Sequence, residues 1–189
     1  MGFLLLPLVV VVLLIVAWAI GAYNRLIGLR NQTANGWRQI DVQLKRRHDL
    51  IPNLVNSVKG VMEFERDTLT QVVEARAKAA AATGPADAAR KEGELSQALG
   101  RLFALAENYP QLHANENVKM LQEELSSTEN KIGFARQFYN DVATKYNISQ
   151  QVFPANLVAS SFGFKPAELF EITDEAERAV PTVDLSMRK

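Results

Sequence analysis

The sequence has 189 residues, of which 48% are hydrophobic and 22% charged, and its 21 basic and 21 acidic residues give a formal net charge of zero. That balance argues against general nucleic-acid binding, for which a strongly basic domain is typical. The chain has no cysteine, so disulfides, thiolate zinc sites and cysteine nucleophiles are excluded, and its two histidines, His48 and His113, offer few ligands or catalytic bases.

A continuous apolar run opens the chain. Residues 3–22 contain no charged side chain and consist mainly of Leu, Val, Ile and Ala. A helix of that length covers about 30 Å, the thickness of a hydrocarbon core, and Trp18 and Tyr23 lie toward one end, where interfaces favour such rings. The run therefore predicts an uncleaved transmembrane anchor over residues 1–22. A signal peptide cleaved near Ala17-Trp18-Ala19 is the alternative, although the run lacks a preceding basic segment and exceeds the usual length of a signal-peptide core.

Positive charge indicates the orientation of this anchor. Arg25 and Arg30 follow the run closely, and a basic cluster stands at residues 45–47. The only acids in residues 23–50 are Asp41 and Asp49. The positive-inside rule places such a flank in the cytoplasm. We therefore expect a single-pass protein of the cell inner membrane with its N-terminus outside and its soluble domain in the cytoplasm.

The rest of the sequence has the pattern of helices. Apolar residues recur every three or four positions almost throughout, and no segment alternates apolar and polar residues as a strand would. The first helix is expected to continue from the anchor to a corner at Asp49–Pro52, because Asp49 can cap a new helix and Pro52 is tolerated only in a first turn. Later boundaries are expected at Gly84-Pro85, at Pro110 and at Asn115 or Asn117.

The last long helix carries the longest apolar stripe. Its members are spaced alternately by four and three residues, as in the seam of a helical bundle: Leu121, Leu125, Thr128, Ile132, Ala135, Tyr139, Val142 and Tyr146. We therefore predict an all-α fold, with a single N-terminal transmembrane helix followed by an antiparallel up-and-down four-helix bundle and a C-terminal tail. The bundle is assigned to residues 23–165, and residues 166–189 to an acidic segment and a loose tail.

Two groups of polar residues are candidates for function. Lys45, Arg46 and Arg47 form a basic cluster that either interacts with the helix dipole and solvent or contacts anionic lipid headgroups or an acidic partner. A second group lies on or beside the apolar seam, where polar groups facing a core need partners. It is interpreted as a structural network that fixes helix register, with a ligand site as the alternative, and its members are Asn53, Glu129, Arg136, Tyr139 and Asn140.

Catalysis and metal binding have little support in the sequence. The di-iron pattern of helical bundles needs Glu-x-x-His on one helix face, and neither histidine meets it. A solvated face is therefore the better interpretation of the acids Glu63, Glu65, Asp67 and Glu74. We expect no catalytic residue, no metal and no cofactor.

Two long phrases closely resemble the LemA family of bacterial membrane proteins. They are QLKRRHDLIPNLV at residues 43–55 and TENKIGFARQFYND at residues 128–141, within longer matching stretches at 23–60 and 125–170. Gly36 departs mildly from the family pattern, in which alanine is more usual before that tryptophan, and the departure puts helix continuity in question.

The resemblance implies a single transmembrane helix and an antiparallel four-helix soluble domain, in a family with no established biochemical activity. Genes of the family often stand beside those for a membrane metalloprotease or a TPM-type membrane protein, which implies one of these as a partner. From these features we expect a non-enzymatic scaffold or adaptor of the cell envelope that contacts the lipid bilayer and forms a homo-oligomer, with no nucleic-acid partner. The alternative is a ligand-binding or enzymatic bundle with a pocket around Arg136, Tyr139 and Asn140.

Overall fold

The computed structural model describes residues 2–62 and 65–171, and these residues form helices and connecting turns without a strand. The all-α prediction is confirmed. The helices are α1 (Gly2–Lys59), α2 (Arg66–Ala80), α3 (Pro85–Ala106), α4 (Pro110–His113), α5 (Glu116–Gln151) and α6 (Ala155–Ser161). The loose tail and the residues of the acidic segment from 172 onward lie outside the described residues.

Helix α1 is unbroken over 58 residues, a length of about 87 Å at 1.5 Å per residue. The corner predicted at Asp49–Pro52 is therefore wrong, and the first connection comes after Lys59. Proline inside a helix lacks the N–H that would bond the carbonyl four residues earlier. That carbonyl belongs to His48, and it instead accepts a hydrogen bond of 2.7 Å from Arg76 Nε on α2. The helix continues because a neighbouring helix satisfies the group that proline leaves unpaired.

The N-terminal part of α1 is an exposed apolar rod. The large side chains from Leu6 to Ile20 are 42–72% exposed, and an 18-residue window has a mean hydropathy of 2.6. By length and composition this stretch can cross a membrane, so the long apolar helix suggests a membrane anchor. The helix also continues through Gly36, which removes the question raised by that glycine.

Helices α1 and α5 form an antiparallel pair along most of the soluble part. The stripe predicted on α5 is largely buried, with Leu125, Thr128, Ile132 and Tyr139 each at most 5% exposed. Asn115 caps this helix as predicted, because its side-chain oxygen accepts from the backbone N–H groups of Asn117 and Val118 at 3.0 and 3.4 Å.

The molecule has two halves along this pair. In the distal half, far from the anchor, the α2–α3 hairpin packs on α1, and the main core gathers Ile51, Leu54, Val72, Leu95, Leu102 and Leu125. In the membrane-proximal half α1 and α5 continue, joined by the short helix α6 and an extended segment. Only the first residues of α3 reach this half, where Ala88 and Ala89 pack in one cluster with Ile40 and Tyr139. The arrangement departs from an even four-helix bundle because α2 and most of α3 cover the distal half.

The extended segment comprises residues 164–171 and is called the strap. The sequence places most of the strap beyond residue 165, the predicted end of the bundle. In the structure Phe170 is 1% exposed and belongs to a core cluster with Ile40, Ile132 and Tyr139. The packed domain therefore extends past residue 165 to at least Phe170.

Candidate functional site

Two asparagines on α5 hold the strap through its backbone. Asn147 Nδ2 donates to the carbonyl of Ala167 at 2.9 Å, and Asn147 Oδ1 accepts from the N–H of Ala167 at 2.8 Å. Asn140 makes the same pair with Phe170, at 3.1 and 2.9 Å. The spacings match, since two helical turns rise about 10.5 Å and three extended residues span about 10 Å. The two amides, called the asparagine ladder, thus bind the strap as a neighbouring strand would.

Tyr139 and Arg136 complete this face of α5. The hydroxyl of Tyr139 donates to the carbonyl of Glu168 at 2.6 Å. Burial, with a smaller contribution from the Glu168 carboxylate, raises the pKa of Tyr139. The guanidinium of Arg136 lies over the ring of Phe170, 4.9 Å from its centroid, and its Nε is buried without a hydrogen-bond partner in the described ranges 2–62 and 65–171.

The structure brings three of the five predicted network residues together at the strap. Glu129 lies farther along α5, where its carboxylate is 3.3 Å from Arg47 Nη1. Asn53 is exposed on α1, away from the strap, and its backbone carbonyl accepts a hydrogen bond from Ser57. Asn147 is among the polar residues beside the seam in the sequence but is not one of the five candidates, although its seven-residue spacing from Asn140 on one helix face was a usable signal.

A second buried polar group ties α1 to α3. Arg47 is 4% exposed; its Nη1 is 3.1 Å from Glu92 Oε2, and its Nη2 donates to Ser96 Oγ at 2.7 Å. The other carboxylate oxygen of Glu92 is 2.6 Å from His48 Nε2. Glu92 was not singled out from the sequence, yet it stands four residues after Ala88 and three before Leu95, in the buried stripe of α3. An acid in such a position indicates a buried basic partner.

The basic cluster therefore divides into three residues with different surroundings. Arg47 faces the interior and is not available to a headgroup, Arg46 pairs with Glu124 on α5, and Lys45 is exposed. Lys45 also stands 23 residues beyond Ala22 on the unbroken helix, which is about 35 Å. Because surface charges are screened beyond about 8 Å at physiological salt, α1 holds the cluster too far along its axis for strong attraction to the bilayer that the anchor would enter.

An open cleft lies between α3 and α5 beside this network. Its volume is about 610 Å³, with Leu99, Phe103 and Leu125 among its apolar lining residues and Arg47 and Glu129 among its polar ones. That size falls in the range of small-molecule sites. The donors of Arg47 already meet Glu92, Ser96 and Glu129, so the arrangement holds helices together and presents an apolar concavity.

Of the acids considered as metal ligands, the described ones, Glu65, Asp67 and Glu74, are not gathered into a site. No group of three or more His, Asp or Glu side chains in the described part of the chain is placed to hold a metal ion. Glu65 accepts a hydrogen bond from the hydroxyl of Tyr109 at 3.2 Å, and Glu63 lies outside the described residues.

These features define a class of protein: an all-helical domain built on one long helix whose N-terminal part has the character of a membrane anchor. The chain belongs to the LemA family, whose family model matches residues 36–185. The resemblance seen in the two sequence phrases is confirmed.

Two relatives are similar over most of the chain, and a third over less than half of it. Magnetosome protein MamQ 2 of Paramagnetospirillum magneticum is 25% identical over 189 positions, covering 86% of this chain and 70% of the relative. Protein LemA of Metamycoplasma hominis is 26% identical over 170 positions, covering 88% of this chain and 76% of the relative. Magnetosome protein MamQ of Magnetospirillum gryphiswaldense is 33% identical over 79 positions, which cover 42% of this chain and 29% of the relative.

Proposed function

We propose that this protein is a membrane-anchored, non-enzymatic scaffold or adaptor of the bacterial cell envelope that self-associates. The observation that carries the proposal is the continuity of α1, which passes from the exposed apolar rod into the core of the bundle without a break. A partner bound to the bundle is then fixed in distance and direction to the bilayer. The basic residues Arg25 and Arg30 support a single-pass topology in the inner membrane with the bundle in the cytoplasm.

The hydrogen bonds already made by the polar residues of α5 at the strap support a scaffold over a ligand site around Arg136, Tyr139 and Asn140. A binding pocket needs convergent polar groups that are free to meet a ligand. The side-chain amide of Asn140 and the hydroxyl of Tyr139 are instead occupied by the backbone of the strap. The guanidinium of Arg136, whose Nε has no hydrogen-bond partner among the described residues, is covered by the ring of Phe170. The seam thus acts within the chain, as a device that fixes the position of its C-terminal segment.

Self-association is supported by the face of the anchor helix that points away from α6. At 100° per residue, Ala17 and Gly21 lie about half a turn away from Ala19 and Leu26, the residues that pack near α6. A Cβ added at Gly21 would meet nothing within 4 Å, so a second helix can approach closely there. Farther along the bundle, Val42, Phe134 and Phe138 form an apolar patch, with Phe134 74% exposed, and such patches often mark interfaces.

The mass of the full-length chain in nanodiscs and in mild detergent tests self-association. We expect oligomers that are weakened by Gly21→Leu, which blocks close helix approach, and unaffected by the matched control Ile20→Leu. A contact between the basic cluster of one copy and the acidic segment of another, predicted from residue 166 onward, would also join copies through opposite charges. Lys45→Glu with Arg46→Glu tests this contact and should weaken the oligomer if it forms; Arg47 is left intact because it is buried. A full-length chain that stays monomeric in both media would refute self-association.

The adaptor's partner is expected among membrane proteins, with a membrane metalloprotease or a TPM-type protein as the candidates implied by the family. Crosslinking in native membranes from exposed positions such as Lys45 identifies the partner by mass spectrometry. Recovery of soluble proteins alone would contradict the proposal of a membrane partner.

A second candidate function is small-molecule binding, which the cleft between α3 and α5 favours. Its lining combines apolar side chains such as Leu99 and Phe103 with polar ones such as Gln122 and Glu129, which fits an amphipathic small molecule. Leu99→Trp would fill the cleft and abolish such binding. Native mass spectrometry of the full-length protein gently extracted from its own membranes checks this candidate, because a bound small molecule lost in the variant would favour it.

A further inference from the structure

The corner between α5 and α6 exposes a set of large apolar side chains. The set, called the apolar corner, consists of Ile148, Val152, Phe153, Leu157 and Phe162, and these residues are 49–80% exposed. An exposed cluster of this kind marks a surface that contacts another molecule or a membrane.

The register of α1 and α5 places this corner at the end of the apolar rod. Gly36 lies opposite Tyr139, since a Cβ built on Gly36 would be 3.3 Å from the Cα of Tyr139. The helices are antiparallel, so the end of α5 at Gln151, twelve residues beyond Tyr139, is level with Asn24, twelve residues before Gly36. Asn24 is the first strongly polar residue after the apolar run. The apolar corner, which begins at the end of α5, therefore lies beside the end of that run.

The packing of α6 confirms this level. Val158 and Ala159 of α6 form a buried cluster with Leu26, and Ala19 and Ala22, which belong to the apolar run, pack against it. The rings of Tyr23 and Phe162 are 4.8 Å apart. Helix α6 thus lies against the end of the rod itself.

The charge around the corner has one sign. Residues 1–33 and 142–167 contain no Asp or Glu, while they carry Arg25, Arg30, Lys145 and Lys165. Anionic headgroups attract basic residues near a bilayer surface, and large apolar side chains enter the boundary between headgroups and acyl chains. The combination of exposed aromatic and aliphatic side chains with nearby bases fits a lipid surface.

We propose that the apolar corner inserts into the interfacial layer of the leaflet from which α1 emerges, and that it forms a second attachment to the bilayer beside the anchor. The inference rests on the proposed anchoring of α1 and adds a binding surface to it. Two attachments at one level restrict both the tilt and the rotation of the bundle. The occupant of the corner is an anionic lipid surface; a second copy of the chain is the competing occupant.

The natural absence of cysteine makes a direct test practical. Single cysteines are introduced as Phe153→Cys, Leu157→Cys, Leu13→Cys and Met120→Cys, and each is labelled with a nitroxide in the full-length chain in nanodiscs of phosphatidylcholine and phosphatidylglycerol. Collision rates with oxygen and with a water-soluble nickel chelate then report lipid or water around each label. Met120 is the control, because it is 61% exposed on the distal half.

We expect lipid-like accessibility at 153 and 157, hydrocarbon-like accessibility at 13 and water-like accessibility at 120. Water-like labels at 153 and 157 with a hydrocarbon-like label at 13 would overturn the second attachment and leave the anchor proposal standing. A water-like label at 13 would overturn both. Labels at 153 that are shielded from both reagents and broadened by a neighbouring nitroxide would assign the corner to a copy–copy contact instead.

A variant pair gives an independent measurement. A nitroxide at Ser160→Cys reports, through the same collision rates, the ratio of chains whose apolar corner is inserted in the bilayer to chains whose corner lies in water. The double change Phe153→Ser and Leu157→Ser is expected to lower this ratio by about tenfold or more, since burial of one large apolar side chain is worth at least that factor. The matched control is Met120→Ser with Val73→Ser, two exposed apolar residues of the distal half. Equal behaviour of the two variants, with unchanged circular dichroism, would refute the proposal.

Discussion

The two halves of the bundle bury polar groups between helices in different ways. In the membrane-proximal half, neutral amides of α5 are matched one for one with the backbone of the strap. In the distal half, a buried charge pair between Arg47 and Glu92 joins α1 to α3. A neutral hydrogen bond contributes about 1 kcal/mol net, whereas an ion left alone in an interior costs several. Single substitutions should therefore be tolerated unequally in the two halves.

The largest expected effect is that of Arg47→Ala. Removing the guanidinium leaves Glu92 buried without its charge partner, so the free energy of unfolding should fall by about 3–5 kcal/mol. The neighbouring change Arg46→Ala is the control, since the pair of Arg46 with Glu124 is half exposed and should be worth at most about 1 kcal/mol. Denaturant unfolding of the full-length chain in detergent measures both. Equal losses in the two variants would contradict the different surroundings described for the two arginines.

The double change Arg47→Met with Glu92→Met sharpens the same contrast. Replacing both members of a buried ion pair by apolar residues is often neutral or stabilising. We expect the double variant to recover most of the stability that Arg47→Ala loses. A double variant as unstable as the single one would mean that Ser96 and His48, which also meet the pair, contribute more than the charges.

The next effect is that of Asn140→Ala in the proximal half. The change leaves the N–H and carbonyl of Phe170 unpaired at a buried position and should cost about 2–3 kcal/mol. Faster hydrogen exchange at residues 164–171 should accompany the loss, because the strap loses one rung of the asparagine ladder. Asn130→Ala is the control, an exposed asparagine on the same helix. Unchanged exchange in the strap would show that apolar packing alone holds it.

A smaller effect is expected for Tyr139→Phe, which removes the hydrogen bond to Glu168 and should cost about 1 kcal/mol. The change should also alter the pH dependence. Folding raises the pKa of Tyr139 above its usual value of 10.0, so its contribution to stability is complete below pH 10 and is lost as the pH rises further. Unfolding measured from pH 8 to 11 should therefore show a shallower alkaline decline in the variant. Tyr23→Phe is the control, since Tyr23 contacts Phe162 and Phe164 through its ring; an equal flattening there would contradict the assignment.

The smallest expected difference concerns two glycines of α1. Alanine at Gly28 meets nothing within 4 Å and should stabilise the helix by about 0.5–1 kcal/mol. Alanine at Gly36 gains the same propensity but places its Cβ 3.3 Å from Tyr139 Cα and 3.4 Å from Phe138 Cδ1, so the gain should be offset. Thermal melting of the two variants measures the difference, and a larger gain at Gly36 than at Gly28 would show that α5 moves away at no cost.

The sequence predicts features that depend on neighbours in the chain better than those that depend on distant contacts. The buried stripe of α5 and the cap at Asn115 follow from local spacing and were predicted. The end of α1 was predicted too early because its continuation through Pro52 depends on Arg76, a residue of another helix. The role of Arg47 depends likewise on Glu92, and the ladder depends on a strap whose own pattern gives no sign of regular structure.

The length and continuity of α1 make it a lever. From Ala22 to Lys59 the helix extends about 55 Å at 1.5 Å per residue, so a change of 10° in its inclination displaces its far end by about 10 Å. Membrane helices change inclination when the bilayer becomes thinner or thicker. With α1 anchored as proposed, a change in bilayer thickness therefore displaces the α3–α5 cleft sideways relative to the membrane, and no hinge is needed. The contact of the apolar corner with the membrane surface limits the size of that displacement.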